Sequence, residues 1–105
     1  MTTLRGVVIV SNMNAELTLN ERHIVSENVF VEMVVWRLAS HPPGSRHSFR
    51  YCLAFVINGT CVLRYDNESG TGDHKHDGEE EIPYLFTTPH ALLNDFRDDV
   101  ENWRS

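Results

Sequence analysis

The segment FRYCLAFVINGTCVLRYD (Phe49–Asp66) narrows the choice of fold more than any other part of the chain. Two runs rich in β-branched and aromatic residues flank Asn58-Gly59, the dipeptide favoured in a two-residue type I′ turn. The pattern predicts a β-hairpin, and a two-residue turn sets its register. Ile57 is expected opposite Thr60, Phe55 opposite Val62, Leu53 opposite Arg64 and Tyr51 opposite Asp66. Val56–Cys61, Ala54–Leu63 and Cys52–Tyr65 then share the other face. Cys52 and Cys61 fall four positions apart along this ladder, about 13 Å at about 3.3 Å per residue. That separation is too long for a disulfide.

Around this hairpin the remaining elements read as more sheet and one helix. Ala15, Leu17 and Leu19 alternate with Glu16, Thr18 and Asn20, which predicts a half-buried strand over Ala15–Ile24. NVFVEMVVWRL (Asn28–Leu38) reads as a second strand, joined to the first by the short VSEN segment. HPPGS (His41–Ser45) is a loop, because two prolines and a glycine interrupt pairing. Tyr84–Thr87 fits a short strand. Thr88 and Pro89 then open a helix as cap and first-turn residue. Its stripe of Leu92, Leu93, Phe96, Val100 and Trp103 is expected to be core, with Asn94, Asp95, Asp98, Asp99 and Glu101 outward. Acidic residues in the last turns oppose the helix dipole, so that end is expected to fray. Trp36 and Phe30 are expected in the core or facing a partner.

Strands first and a helix last predict an α+β fold: an antiparallel sheet of four to six strands with one C-terminal helix packed on one face. A length of 105 residues suits a single domain. Residues 13–105 are read as that domain. Residues 1–12 are either an extra edge strand or an extension ahead of Met13, and both readings stay open.

No apolar run approaches the length needed to cross a bilayer, and no signal-peptide pattern opens the chain. These features predict a cytoplasmic protein without membrane association, in which Cys52 and Cys61 remain thiols. The net charge of -6 disfavours unspecific, charge-driven binding to nucleic acid. The charges are unevenly spread, however. Arg46, His47, Arg50 and Arg64 lie in the middle third, while acids crowd into Asp66–Glu81 and Asp95–Glu101.

The stretch after the hairpin, ESGTGDHKHDGEEE, is expected to be a loop dense in titratable groups. His74 and His76 stand at i, i+2, which in an extended segment points both rings the same way and Lys75 the other. Paired imidazoles can take and give a proton near neutrality, the combination that RNA cleavage uses. One deprotonates a 2′-hydroxyl, the other protonates the leaving oxygen, and a cation steadies the phosphorane. Arg46, Arg50 or Arg64 supplies that cation in this reading, with Asp66 or Asp73 orienting a histidine. Lys75 and Tyr65 join the candidate RNA-binding residues. No cofactor or metal is called for. Two other readings stay open. His-x-His with Asp66 or Asp73 could hold a divalent metal, although no further ligand stands at a recognisable spacing. The stretch could also be a solvated polar loop, with Asp66 and Asn67 as turn formers and Glu79–Glu81 as a solvated run or a face for a basic partner.

Four segments carry a family resemblance: VEMVVWRL (Val31–Leu38), PGSRHSFRY (Pro43–Tyr51), RYDNESGTGDHKH (Arg64–His76) and PYLF…LLNDFRDDV (Pro83–Val100). Together they resemble the TumE family of toxins from toxin–antitoxin pairs. The most specific match is Tyr65, Asp66, Asn67, Gly70, Gly72, Asp73, His74, Lys75 and His76. The resemblance runs from about Ala15 to the C-terminus and leaves Met1–Asn12 outside. It implies a toxin neutralised by an antitoxin partner that carries a helix-turn-helix DNA-binding domain. It carries no catalytic assignment with it. A non-enzymatic module that inhibits a host protein, or mainly partners its antitoxin, is the alternative to a ribonuclease.

Overall fold

The computed structural model describes residues 15–40, 46–67 and 72–104. The segment 1–12, the HPPGS loop at 41–45 and the stretch 68–71 lie outside the described residues. The fold is α+β. Six strands form one antiparallel sheet, each paired with the next in the chain: β1 (Ala15–Ser26), β2 (Val29–Leu38), β3 (Phe49–Ile57), β4 (Thr60–Asp66), β5 (His74–Asp77) and β6 (Glu80–Pro83). One helix, α1 (Pro89–Arg104), follows. The order β1 to β6 across the sheet is the order in the chain, so every pairing is made by a neighbour in sequence.

Turn chemistry explains why the strands end where they do. Asn58 and Gly59 have φ of 50° and 81°, the left-handed pair that a type I′ turn requires. Asn28 (φ 61°) and Gly78 (φ 65°) make the corresponding left-handed turns before β2 and before β6. The Thr88 hydroxyl accepts from the Ala91 amide at 3.1 Å, which caps α1 ahead of Pro89.

The core lies between one face of the sheet and α1. Val35, Tyr51, Leu53, Phe55, Leu63 and Tyr65 from the sheet meet Leu92, Phe96 and Val100 from the helix. Of the helix stripe, Leu92, Phe96 and Val100 are buried as their spacing predicts, Leu93 packs partly buried against them, and Trp103 departs. Trp103 is 41% exposed and donates from its indole to Asp77 Oδ1 at 3.1 Å, so it clips the end of α1 to β5 rather than filling the core.

The hairpin register departs from the straight-ladder expectation after two pairs. Ile57–Thr60 and Val56–Cys61 hold, but Phe55 then faces Leu63, Leu53 faces Tyr65, Ala54 faces Arg64 and Cys52 faces Asp66. A β-bulge at Val62 shifts the ladder by one. The physical reason is burial. The straight register would set the Arg64 guanidinium beside Leu53 in the core, whereas the bulge brings Leu63 and Tyr65 inward, at 0% and 1% exposure, and turns Arg64 out. Arg64 and Asp66 thus lie on the face opposite Tyr51, not beside it.

A similar irregularity at Thr18 separates Leu17 from Leu19. Leu17 pairs with Trp36 and Leu19 with Val35, so the two leucines point to opposite faces, and only Leu19 packs against the core. The acid-rich stretch is also less of a loop than its composition suggests. It holds β5 and β6, folded back through Gly78, while residues 84–87, expected as a strand, are irregular. Tyr84 and Phe86 from that segment pack against the core instead. Trp36 and Phe30 belong neither to the core nor to the side chains packed on it.

Candidate functional site

Alternation along the strands sorts the side chains into two sets, one under α1 and one on the opposite face. No helix or strand among the described residues covers that second face. Its ladder rows can be read across the sheet. One row runs Asn20, Val34, Cys52, Asp66, His74, Pro83; the next runs Arg22, Glu32, Ala54, Arg64, His76, Glu81. Leu17, Trp36 and Arg50 form a third, and Ile24, Phe30, Val56 and Cys61 a fourth.

This arrangement places His74 and His76 on the same face, with Asp66 and Arg64 directly across the β4–β5 ladder. Neighbouring strands are about 4.8 Å apart, so each imidazole stands next to one member of that pair. Asp66 is 7% exposed and accepts from Arg64 Nε at 2.9 Å. His74 Nε2 lies 3.6 Å from Glu81 Oε2. Arg50 is on the same face, two residues before Cys52 on β3 and so diagonal to Asp66. Arg46 is exposed in the bend before β3. Asn67 is wholly occupied with backbone: its carbonyl accepts from the Tyr51 amide at 3.0 Å and its amide donates to Phe49 O at 2.7 Å. It thereby extends the β3–β4 pairing beyond the end of the strand.

Asp73, Lys75 and Tyr65 lie on the helix side. Lys75 points away from the two histidines and donates to Asp99 Oδ2 at 2.7 Å. The Tyr65 hydroxyl, on a ring 1% exposed, donates to the same oxygen at 2.5 Å. The Tyr84 hydroxyl donates to Asp95 at 2.6 Å. Asp95 and Asp99, expected to face solvent, therefore fasten α1 to the sheet. Asp73 meets neither His74 nor His76. Its Oδ2 accepts from the Tyr51 hydroxyl at 2.7 Å and pairs with His47 Nε2 at 2.8 Å.

The sequence marks His47 only as one of the basic residues of the middle third, and its spacing from Asp73 gives no signal of the pairing. The ring stacks on Phe86 with centroids 3.8 Å apart. Its Nδ1 accepts from the Phe49 amide at 3.1 Å, so Nε2 carries the proton and donates to Asp73. Both ring nitrogens are committed, which makes His47 a clasp between the approach to β3 and the approach to β5. The three phenols on this side behave alike. Burial first, and then the hydrogen bond to a carboxylate, push Tyr51, Tyr65 and Tyr84 well above the usual tyrosine value. They stay protonated and serve as donors.

The uncovered face thus brings His74 and His76 together with Arg64, Asp66 and Arg50. Among the described residues no three His, Cys, Asp or Glu side chains are grouped to hold a metal ion. Cys52 and Cys61 form no disulfide. Among the described residues no helix is long and apolar enough to cross a membrane. A family model described as Toxin TumE matches residues 14–104. No curated protein and no solved structure is matched.

Proposed function

With nearly its whole length matched, the chain belongs to the TumE toxin family, and we propose that it arrests growth by cleaving RNA on the uncovered face of its sheet. The observation that supports this reading is the sharing of one face by His74, His76, Arg64, Asp66 and Arg50. One imidazole takes the proton of a 2′-hydroxyl, whose oxygen attacks the adjoining phosphorus. The bond from phosphorus to the 5′-oxygen breaks, and the other imidazole gives that oxygen its proton. The products are a 2′,3′-cyclic phosphate and a free 5′-hydroxyl. Arg64 and Arg50 offer charge to the phosphoryl oxygens. No step needs a metal.

Membership of a toxin family implies an antitoxin partner. In our reading that partner is a helix-turn-helix protein, and the toxin acts in the cytoplasm. The test is purified protein incubated with total RNA in EDTA, beside the His74→Ala/His76→Ala variant. Cleavage by the wild type alone, leaving cyclic phosphate ends, is expected. Growth arrest by the double variant would overturn the acid–base assignment. Arrest by a wild type that leaves RNA intact would favour a binding module that inhibits a host protein.

A further inference from the structure

The uncovered face carries a second pair of side chains beside the histidines. Trp36 stands directly across the β2–β3 ladder from Arg50. The side chain is partly buried and takes no part in the core. An aromatic side chain can bury about 150–250 Å², so the part of Trp36 left uncovered on this face is apolar area that a ligand can still cover.

Charge on this face is also unevenly answered. Glu32, Asp66 and Glu81 are paired with Arg22, Arg64 and His74. Arg50 has no ion-pair partner among the described residues. Meanwhile α1, on the other side of the sheet, carries Asp95, Asp98, Asp99 and Glu101. A polyanion approaching this acidic protein meets the least repulsion on the uncovered face.

We propose that Trp36 and Arg50 form a nucleotide subsite, in which the indole stacks on an unpaired base and the guanidinium binds an adjoining phosphate. The ligand is single-stranded RNA. Bases in a duplex stack on one another and cannot lie flat on a sheet, whereas a single strand offers each base's face to an aromatic ring. Trp36 is three strands from His74, about 14 Å at about 4.8 Å per strand. The subsite therefore holds a nucleotide other than the one cleaved, and Trp36 and Arg50 contribute binding rather than proton transfer. This inference rests on the RNA-cleaving reading of the same face.

The chain has two tryptophans, so Trp103→Phe leaves Trp36 as the sole tryptophan, which can be excited selectively over the tyrosines. Added to His74→Ala/His76→Ala, it permits titration without turnover. A short single-stranded RNA is expected to quench Trp36, and the same sequence as a duplex is not. Arg50→Gln is expected to weaken the titration by about tenfold, and Trp36→Leu to raise the KM of the otherwise wild-type enzyme by a similar factor while Trp36→Phe restores it. Equal quenching by duplex, or none by single strand while wild-type protein still cleaves RNA, would overturn the subsite and leave the nuclease reading standing. Quenching by single strand with no cleavage by the wild type would support the subsite and remove the nuclease.

Discussion

On the helix side of the sheet, Tyr51, Tyr65 and Tyr84 each donate to a carboxylate, Lys75 meets Asp99, and His47 meets Asp73. On the other side His76 and Arg50 have no ion-pair partner among the described residues, although both belong to the same strands. Polar groups beside a core must be satisfied within the protein, because burial removes water as an alternative partner. Polar groups on a face without a second layer keep water as a partner and remain available to a ligand. The comparison tells the three histidines apart. His47 looks like an acid–base residue by its company, a carboxylate and a phenol, yet its ring is fully committed. His74 and His76 have sparser company and greater chemical freedom.

The largest expected effect tests that distinction. His74→Ala and His76→Ala should each lower RNA cleavage by about 10²–10⁴-fold while thermal unfolding is unchanged. His47→Ala should instead destabilise the fold by about 1–3 kcal/mol in urea, by orphaning the Phe49 amide and removing one of the two donors to Asp73 Oδ2. An exchange of these phenotypes would reverse the roles assigned to the two sides. Next comes the core itself. Leu53→Ala, at a position 0% exposed, should cost about 2–5 kcal/mol by chemical denaturation. Ala54→Ser, one residue on and facing away from α1, should cost far less.

Alkaline pH offers a graded test of the helix side. Phenols whose values rise on folding hold more protons in the native state than in the unfolded one above pH 10. Stability from these groups is complete below pH 10 and falls as pH rises beyond it. Tyr51→Phe should flatten that decline in unfolding free energy measured across the alkaline range, and an unaltered slope would exclude Tyr51 as a source. The smallest effect is at the helix start, where Thr88→Ala should cost about 1 kcal/mol in thermal or urea unfolding and leave RNA cleavage intact.

The parts of this fold legible in the sequence are those written in adjacent residues. Asn58-Gly59 announced its turn, Thr88-Pro89 its helix start, and the spacing of Leu92, Phe96 and Val100 its buried stripe. The His74/His76 spacing likewise anticipated two rings on one face with Lys75 on the other. Less was legible where the chain chose between alternatives of similar local quality. A straight hairpin and one bulged at Val62 have the same turn. They differ in whether Arg64 or Tyr65 meets Leu53, which depends on what packs above. The β5–β6 pairing was hidden by composition, because strands this short and polar are held mainly by their neighbours.

What followed from local order in this chain were the four long strands and the helix, the helix cap and the face shared by the two histidines, since i, i+2 alternation needs only an extended backbone. Long-range packing settled the rest: which of Asp66 and Asp73 stands near the imidazoles, which histidine is committed, and which side α1 covers. His47 and Asp73 are 26 residues apart. Their contact exists because two strand approaches converge under Phe86, and convergence across the sheet leaves no mark in a linear pattern of residues.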